Sequence, residues 1–401
     1  MISYRIKDVA RINRHTLPED TDPDYKFRYI DISAVGGPGD VSVPDSDTTF
    51  SSAPSRARRV APPGSILVST VRTYLRAIAT VPEHESNLVF STGFAILEAG
   101  QQVDSRFLGH YCLSQPFIDG VVSRSTGVSY PAINPSEIGN LPISLPLLDE
   151  QRRIANFLDA ETARINHLLR MIERQRRLVN EREEVALPLT ISGALLGDGA
   201  VATGVPWLPS MHPQAQLVPL VRILQLQRGV DLPETQRVDG PVPVITTAGA
   251  SGWHDRAIMS GPGVVIRRYG SRGNVHWVEG DYWPHNTTLY VKNFNNNDPR
   301  YCYHILRALP YEMEQARSAI PGVNRNDLHR RHVALLPSDL QRRVANALDL
   351  SMEKFTQTRK RIERSKRLLN ERRQALITAA VTGQFDVSTA SGRNVTDGVH
   401  R

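Results

Sequence analysis

The chain has 401 residues, enough for two or three ordinary domains, and its 40% hydrophobic and 22% charged content is that of a globular protein, not a fibre or a disordered tail. Its 48 Lys and Arg against 41 Asp and Glu leave a net charge of +7, which favours polyanionic partners without establishing one. Two cysteines exclude a disulfide scaffold and a Cys-rich zinc module. With no apolar leader after Met1 and no run near the roughly 18 apolar residues of a membrane span, a cytoplasmic protein without membrane contact is expected.

In chain order, residues 1–147 read as a first globular domain. After the turn signal Pro62-Pro-Gly64 come the β-branched runs Ile66–Val71, Ala77–Val81, Leu88–Phe90 and Phe94–Leu97, which predict short strands and a mainly β core. Residues 148–192 read as one long helix, since neither Pro nor Gly interrupts Asp149–Leu187 and Pro188 is the expected stop. The Gly-, Pro- and Ala-rich stretch 193–217 reads as a linker. Residues 218–337 return to the strand-and-turn pattern with Pro243–Thr247, Gly263–Arg267, Val275–Val278 and Thr287–Val291. A second long helix is predicted over 338–383, ending at Gly383, and 384–401 read as a flexible polar tail.

The two helical segments are copies. Gln151-Arg-Arg-Ile-Ala-Asn-Phe-Leu-Asp159 returns as Gln341-Arg-Arg-Val-Ala-Asn-Ala-Leu-Asp349, and 149–193 share 17 of 45 positions with 339–383 at a constant offset of 190. The offset extends upstream: Pro131-Ala-Ile-Asn134 lies opposite Pro321-Gly-Val-Asn324, and Tyr111-Cys112 opposite Tyr301-Cys302. The chain therefore reads as one unit present twice. Apolar residues recur every seven positions, at Leu158, Ile165, Ile172 and Val179 and again at Leu348, Phe355, Ile362 and Leu369, the period of a coiled-coil seam. The intervening positions are mixed (Thr162, Leu169, Arg176; Met352, Arg359, Lys366), so the pairing needs tertiary support.

Catalytic motifs do not emerge. The dipeptide Gly-Lys never occurs, which excludes a phosphate-binding loop of the Gly-x-x-x-x-Gly-Lys-Ser/Thr type. Asn134-Pro-Ser-Glu137 only echoes an amino-methyltransferase motif, and Gly36-Gly-Pro-Gly39 reads as a loop. A single Asp24-Tyr-Lys26 is a weak basis for a nuclease core, and the twelve histidines show no metal-ligand spacing. Cys112 and Cys302, equivalent in the repeat, read as small buried core residues.

Two similar modules on two long helices suggest paired readers on a spacer. At ~1.5 Å per residue each helix would span on the order of 57 Å, enough for one to two turns of duplex DNA. Charge supports this unevenly: 149–187 has eight basic and eight acidic residues, while 339–377 has eleven basic and five acidic. Candidate DNA contacts in the first module are Arg56, Arg58 and Arg59 before the Pro-Pro-Gly turn, Arg72 and Arg76 around Thr73-Tyr74, and the polar loop with Arg124, Thr126 and Tyr130. In the second they are Arg267, Arg268, Arg272, Asn274 and His276, followed by Asn324 and Arg325.

These residues resemble a known family, the specificity subunits of type I restriction-modification systems. The resemblance is carried by Ser125-Thr-Gly-Val-Ser-Tyr-Pro-Ala-Ile-Asn134, by Leu141-Pro-Ile-Ser-Leu-Pro-Leu-Leu-Asp-Glu-Gln-Arg-Arg-Ile-Ala155, by Pro62–Leu75 with Ser91-Thr-Gly-Phe94, and by Gly204-Val-Pro-Trp-Leu208 with Val218-Pro-Leu220. The second copy departs at its junction, where Asp339-Leu-Gln341 lacks the Glu and Ser338 stands for Leu148. The resemblance implies an α+β chain with two globular, mainly β target-recognition domains separated by two long helices forming an antiparallel coiled coil. It further implies a non-catalytic reader of a bipartite, asymmetric duplex site. Two methyltransferase subunits would dock on the helices, through Gln151, Arg152, Ile154 and Leu158 in one and Gln341, Arg342, Val344 and Leu348 in the other, and restriction subunits would join them. No cofactor is expected on this chain; S-adenosylmethionine, ATP and magnesium would sit on the partners.

Two other readings stay open at this stage. A coiled-coil scaffold joining two protein-binding modules accounts for the repeat but not for the Arg-rich loops. A self-contained nuclease accounts for the charge but lacks a site.

Overall fold

The structure is a computed structural model; it describes all residues except 38, 85, 268–274, 312–322 and 390–401. The chain divides into two compact units, Met1–Ile172 with Arg364–Arg401, and Glu173–Glu363, so the division falls inside both long helices.

In the first unit the strand Ile2–Arg5 pairs antiparallel with Pro142–Leu145, the strand that leads into the first long helix. A four-stranded antiparallel sheet follows, in the order Ile78–Thr80, Ile66–Ser69, Phe94–Ala99, Ala10–Ile12. Ile66–Ser69 is buried at every position because both faces of this sheet are covered. Ile66, Val68, Ala95 and Leu97 face one cluster, with the helix residues Phe107, Leu108 and Phe117. Leu67, Phe94 and Ile96 face the other, with Ile30 and Phe90. A second sheet holds His15–Thr16, Ala57–Val60, Leu88–Ser91, Lys26–Ile30 and Thr48–Thr49, and its one parallel pair is Leu88–Ser91 with Lys26–Ile30.

The second unit repeats this plan. Gln216–Pro219 pairs antiparallel with His332–Leu335, and a four-stranded antiparallel sheet runs Val275–Val278, Gly263–Arg267, Thr288–Asn293, Gln225–Arg228. Here too a strand with a buried apolar run splits its residues: Val264 and Ile266 face the main core, and Val265 packs with Ile245, Tyr282 and Tyr290. A smaller sheet, Gly249–His254, Val242–Thr246, Trp283–Pro284, again contains a parallel pair. The duplication read in the helices is therefore a duplication of the whole fold, and the predicted strands agree with those observed to within a few residues.

The long helices span Leu148–Ile191 and Ser338–Val381. Pro188, expected to stop the first, lies inside it, close enough to the end that the last turn survives. Termination falls instead to Gly193 and Gly383, both left-handed (φ +71° and +74°), whose amides reach back to Thr190 and Ala380 carbonyls. In each unit the helix segments pack antiparallel. Ile154 and Leu158 share a core with Leu376, Ile377 and Val381, and the Arg373 guanidinium donates to Asn166 Oδ1 at 2.8 Å. In the second unit Leu187 and Ile191 meet Leu340, Val344 and Leu348, and Arg359 donates to Asn180 and Glu183. The heptad residues named above are buried or half-buried throughout, as a seam requires.

Two boundary readings change. The presumed linker 193–217 forms a hairpin, Val201–Val205 with Leu208–Met211, and Leu208 is fully buried; its Gly and Pro residues serve turns rather than a free connection. The presumed tail begins with packed residues, since the Phe385 ring lies 5.7 Å from that of Phe157 and Val387 packs on the first core. Among the described residues, no helix is long and apolar enough to cross a membrane.

Candidate nucleic-acid interface

The two central sheets have the same strand order, and in both the hairpin at the sheet edge carries arginines singled out in the sequence, Arg72 and Arg76 in the first and Arg267 in the second. In the first unit this hairpin joins Ile66–Ser69 to Ile78–Thr80. Its connection is a single 3-10 turn, Thr73–Leu75, bracketed by Arg72 and Arg76, both left-handed at φ +52°. A non-glycine residue there costs about 1–2 kcal/mol, so the surrounding structure must hold the turn in place. It does so through buried Thr73, whose hydroxyl meets that of Ser125 at 2.9 Å, through the bond from Ile133 N to Thr70 O, and through the bridges Val71–Ala132 and Thr126–Ala132.

The polar loop is thereby pinned against the hairpin tip. The Arg72 guanidinium sits 5.3 Å from the centre of the Tyr130 ring, within cation–π reach. Arg72, Arg76, Thr126 and Tyr130, distant in sequence, form one exposed surface. Tyr74, Leu75 and Val128 share it; they lie in the stretches that carry the family resemblance but are not among the candidate contacts. Arg124 lies lower, donating to Gly120 O at 3.3 Å with Glu137 at 3.8 Å, so its charge is already partnered.

Arg56, Arg58 and Arg59 do not join this surface. They lie on or beside Ala57–Val60 in the five-stranded sheet. Arg56 is exposed, but Arg58 stacks 4.4 Å over the Phe50 ring. Arg59 is half-buried, donates to Thr16 Oγ1 at 3.2 Å and leaves Nε unpaired; burial lowers its pKa. Arg58 and Arg59 thus act in packing: a register shift in this strand sets Arg59 opposite Phe90 and Ala57 opposite Ser91, so Arg59 falls on the Phe90 face of the sheet and Ala57 on the other.

In the second unit the equivalent hairpin joins Gly263–Arg267 to Val275–Val278. Arg267 Nε donates to Thr247 O at 3.2 Å. His276, half-buried opposite Val265, is pushed to a lower pKa mainly by burial, and its Nε2 has no partner. Arg268, Arg272 and Asn274 lie outside the described residues. Asn324 caps the helix Arg325–Arg330, its side-chain oxygen accepting from Asn326 N at 2.9 Å, as Asn134 does for Pro135–Gly139. The Asn repeated in both halves is thus explained by capping. Arg325 is exposed next to it.

The residues expected to dock partner subunits have a different place. Gln151, Ile154, Leu158, Gln341, Val344 and Leu348 are each at most 3% exposed, buried against their own domain, which leaves no surface for a partner; Arg152 and Arg342 remain open. Gln151 accepts from Asp104 N and donates to the Gln102 and Pro146 carbonyls. Gln341 likewise accepts from Asp298 N and donates to Asn297 Oδ1 and Leu336 O.

About two turns beyond the glutamine, each helix presents an Asp to a paired Arg and His. Arg106 and His110 reach Asp159, and Arg300 and His304 reach Asp349, both histidines at 2.8 Å. Hydrogen bonding from His110 holds the Asp159 carboxyl below its usual range. Burial works against Asp349, but bonds from Arg300 and His304 bring it down as well. Sequence reading missed this clasp, because Asp104-x-Arg106-x-x-x-His110 returns as Asp298-x-Arg300-x-x-x-His304 at an offset of 194, not 190. The same shift corrects the pairing of Cys112 with Cys302. With Asp104 and Asp298 both capping their helices, Tyr301 stands where Phe107 does and Cys302 where Leu108 does. Both thiols are nonetheless buried and free, with pKa values raised by burial.

Among the described residues no cluster of three or more His, Cys, Asp or Glu is arranged to hold a metal ion. Residues 2–174 match the family described as the type I restriction modification DNA specificity domain. No curated protein matches the chain. Among solved structures, one chain from a study of complex assembly and conformational transition of the type I R-M system is 22% identical, with 95% of this chain and 97% of that one covered and a TM-score of 0.75. The HsdS subunit from Thermoanaerobacter tengcongensis is also 22% identical, with 96% and 97% covered and a TM-score of 0.54. The match to the type I restriction modification DNA specificity domain thus covers residues 2–174, and the chain as a whole shares the fold of these two type I system chains.

Proposed function

We propose that the chain is the sequence reader of a type I restriction-modification complex, each unit contacting one half of a bipartite, asymmetric duplex site. The observation that carries this reading is the repetition of one sheet with an arginine-bearing edge hairpin in two units of a single chain. Two similar but non-identical readers on one chain suit two different half-sites. Guanidiniums at the hairpins supply phosphate neutralisation and the donors that pair with guanine.

The bond-making chemistry belongs, in this reading, to partners. Two methyltransferase subunits would dock on the solvent faces of the helices, bind S-adenosylmethionine and extrude the target adenine, and restriction subunits with ATP and magnesium would complete the nuclease. The test is methylation-resolved sequencing of host DNA with and without the gene. Loss of one bipartite adenine-methylation motif is expected and would yield both half-sites; an unchanged methylome in a host expressing the chain and its methyltransferase would overturn the reading.

A further inference from the structure

We infer that Tyr74 and Leu75 form the apolar tip with which the first unit reads base edges of its half-site, while Arg72 and Arg76 hold phosphates on either side. The inference rests on the DNA-reading function proposed above and specifies which residues of that surface discriminate. Tyr74 is 56% and Leu75 53% exposed, at the outer end of the hairpin. Their presentation is rigid: Leu75 N bonds Arg72 O at 2.8 Å, Arg76 N bonds Thr73 O at 3.1 Å, and buried Thr73 anchors the turn to Ser125. Two large apolar side chains are thus held more than half exposed between two left-handed arginines.

That arrangement matches the cross-section of a duplex groove. Phosphates line both rims and the floor offers thymine methyl groups and base edges, so an apolar centre flanked by guanidiniums places each chemistry opposite its complement. Tyr130, 67% exposed and beneath the Arg72 guanidinium, widens the same surface. A protein surface is the competing occupant, and the charge on both sides of the tip argues for the polyanion.

The test uses the full chain assembled with its methyltransferase subunits and a pool of duplexes randomised across both half-sites. Tyr74→Ala with Leu75→Ala is expected to lower discrimination about tenfold or more at one or two positions of one half-site, with the other half-site and the salt dependence unchanged. Arg72→Ala with Arg76→Ala should keep the motif and reduce the salt slope by about one to two. Leu75→Met, which keeps the tip apolar, should retain the motif. The second half-site reports on folding within the same experiment. An unaltered motif in the Tyr74/Leu75 variant, or equal loss at both half-sites, overturns the assignment; weakened subunit co-purification with an unaltered motif transfers the tip to protein docking. A wild-type complex that selects no motif would instead overturn the DNA-reading function itself.

Discussion

His304 Nε2 lies 2.8 Å from Asp349 Oδ1, and His304 itself is wholly buried, so the second unit folds around a neutral imidazole. Burial pushes this ring down to about 4, whereas an unfolded histidine titrates near ~6.5. The unfolded chain therefore binds more protons between those values, and stability falls as pH falls through that window and is fully present above it. A loss on the order of 2–3 kcal/mol by pH 4 is expected from this group. Denaturant midpoints measured from pH 7 to 4 should show the decline in the wild type and a flatter profile in His304→Gln; parallel profiles would refute the assignment.

Removing the acceptor should be costly too. Asp349→Ala leaves Arg300 without its carboxylate and His304 with a buried unpaired nitrogen, for a destabilisation of about 1–3 kcal/mol. Amide exchange should accelerate first in the helix Pro299–Ala308, which the clasp fastens to the second long helix.

Gln151→Ala and Gln341→Ala each delete three hydrogen bonds from a side chain at most 2% exposed. Each is expected to cost about 2–3 kcal/mol, as buried backbone groups lose their partners. Because these side chains face their own domains, methyltransferase co-purification should persist at temperatures where the variants remain folded. Loss of the partner from a variant with an unchanged melting profile would return the glutamines to the docking surface.

Gly263 faces the Tyr282 ring so closely that an added Cβ would lie 2.2 Å from it. Gly263→Ala should destabilise by about 1–3 kcal/mol or more, since a wholly buried tyrosine cannot yield without disturbing Val265 and Tyr290. Thermal unfolding of the full chain, followed through the buried tyrosines, measures this.

Arg267→Ala, Arg268→Ala and Arg272→Ala combined are expected to weaken binding to the cognate duplex and to reduce its salt slope, with the first half-site still read. Part of the effect will come through the hairpin itself, because Arg267 also ties the strand to Thr247 O. Unchanged affinity at physiological salt would remove the second hairpin from the interface.

The sequence by itself determined the duplication, the two helices and their seam, and most strands of both central sheets. Those features rest on local chemistry: a seven-residue apolar period, β-branched runs, and turns built from Pro and Gly. Only the tertiary structure decided which charged residues remain free. Arg58 and Arg59 read like Arg72 and Arg76 along the chain, yet the five-stranded sheet absorbs the first pair and a hairpin tip exposes the second. The repeated pair Gln151 and Gln341 looked like a docking surface because repetition marks any essential contact, and here that contact lies inside each domain. Burial and partner geometry depend on residues about 40 to 50 positions away in sequence, as from Asp104 to Gln151 or His304 to Asp349, and no local pattern encodes that distance.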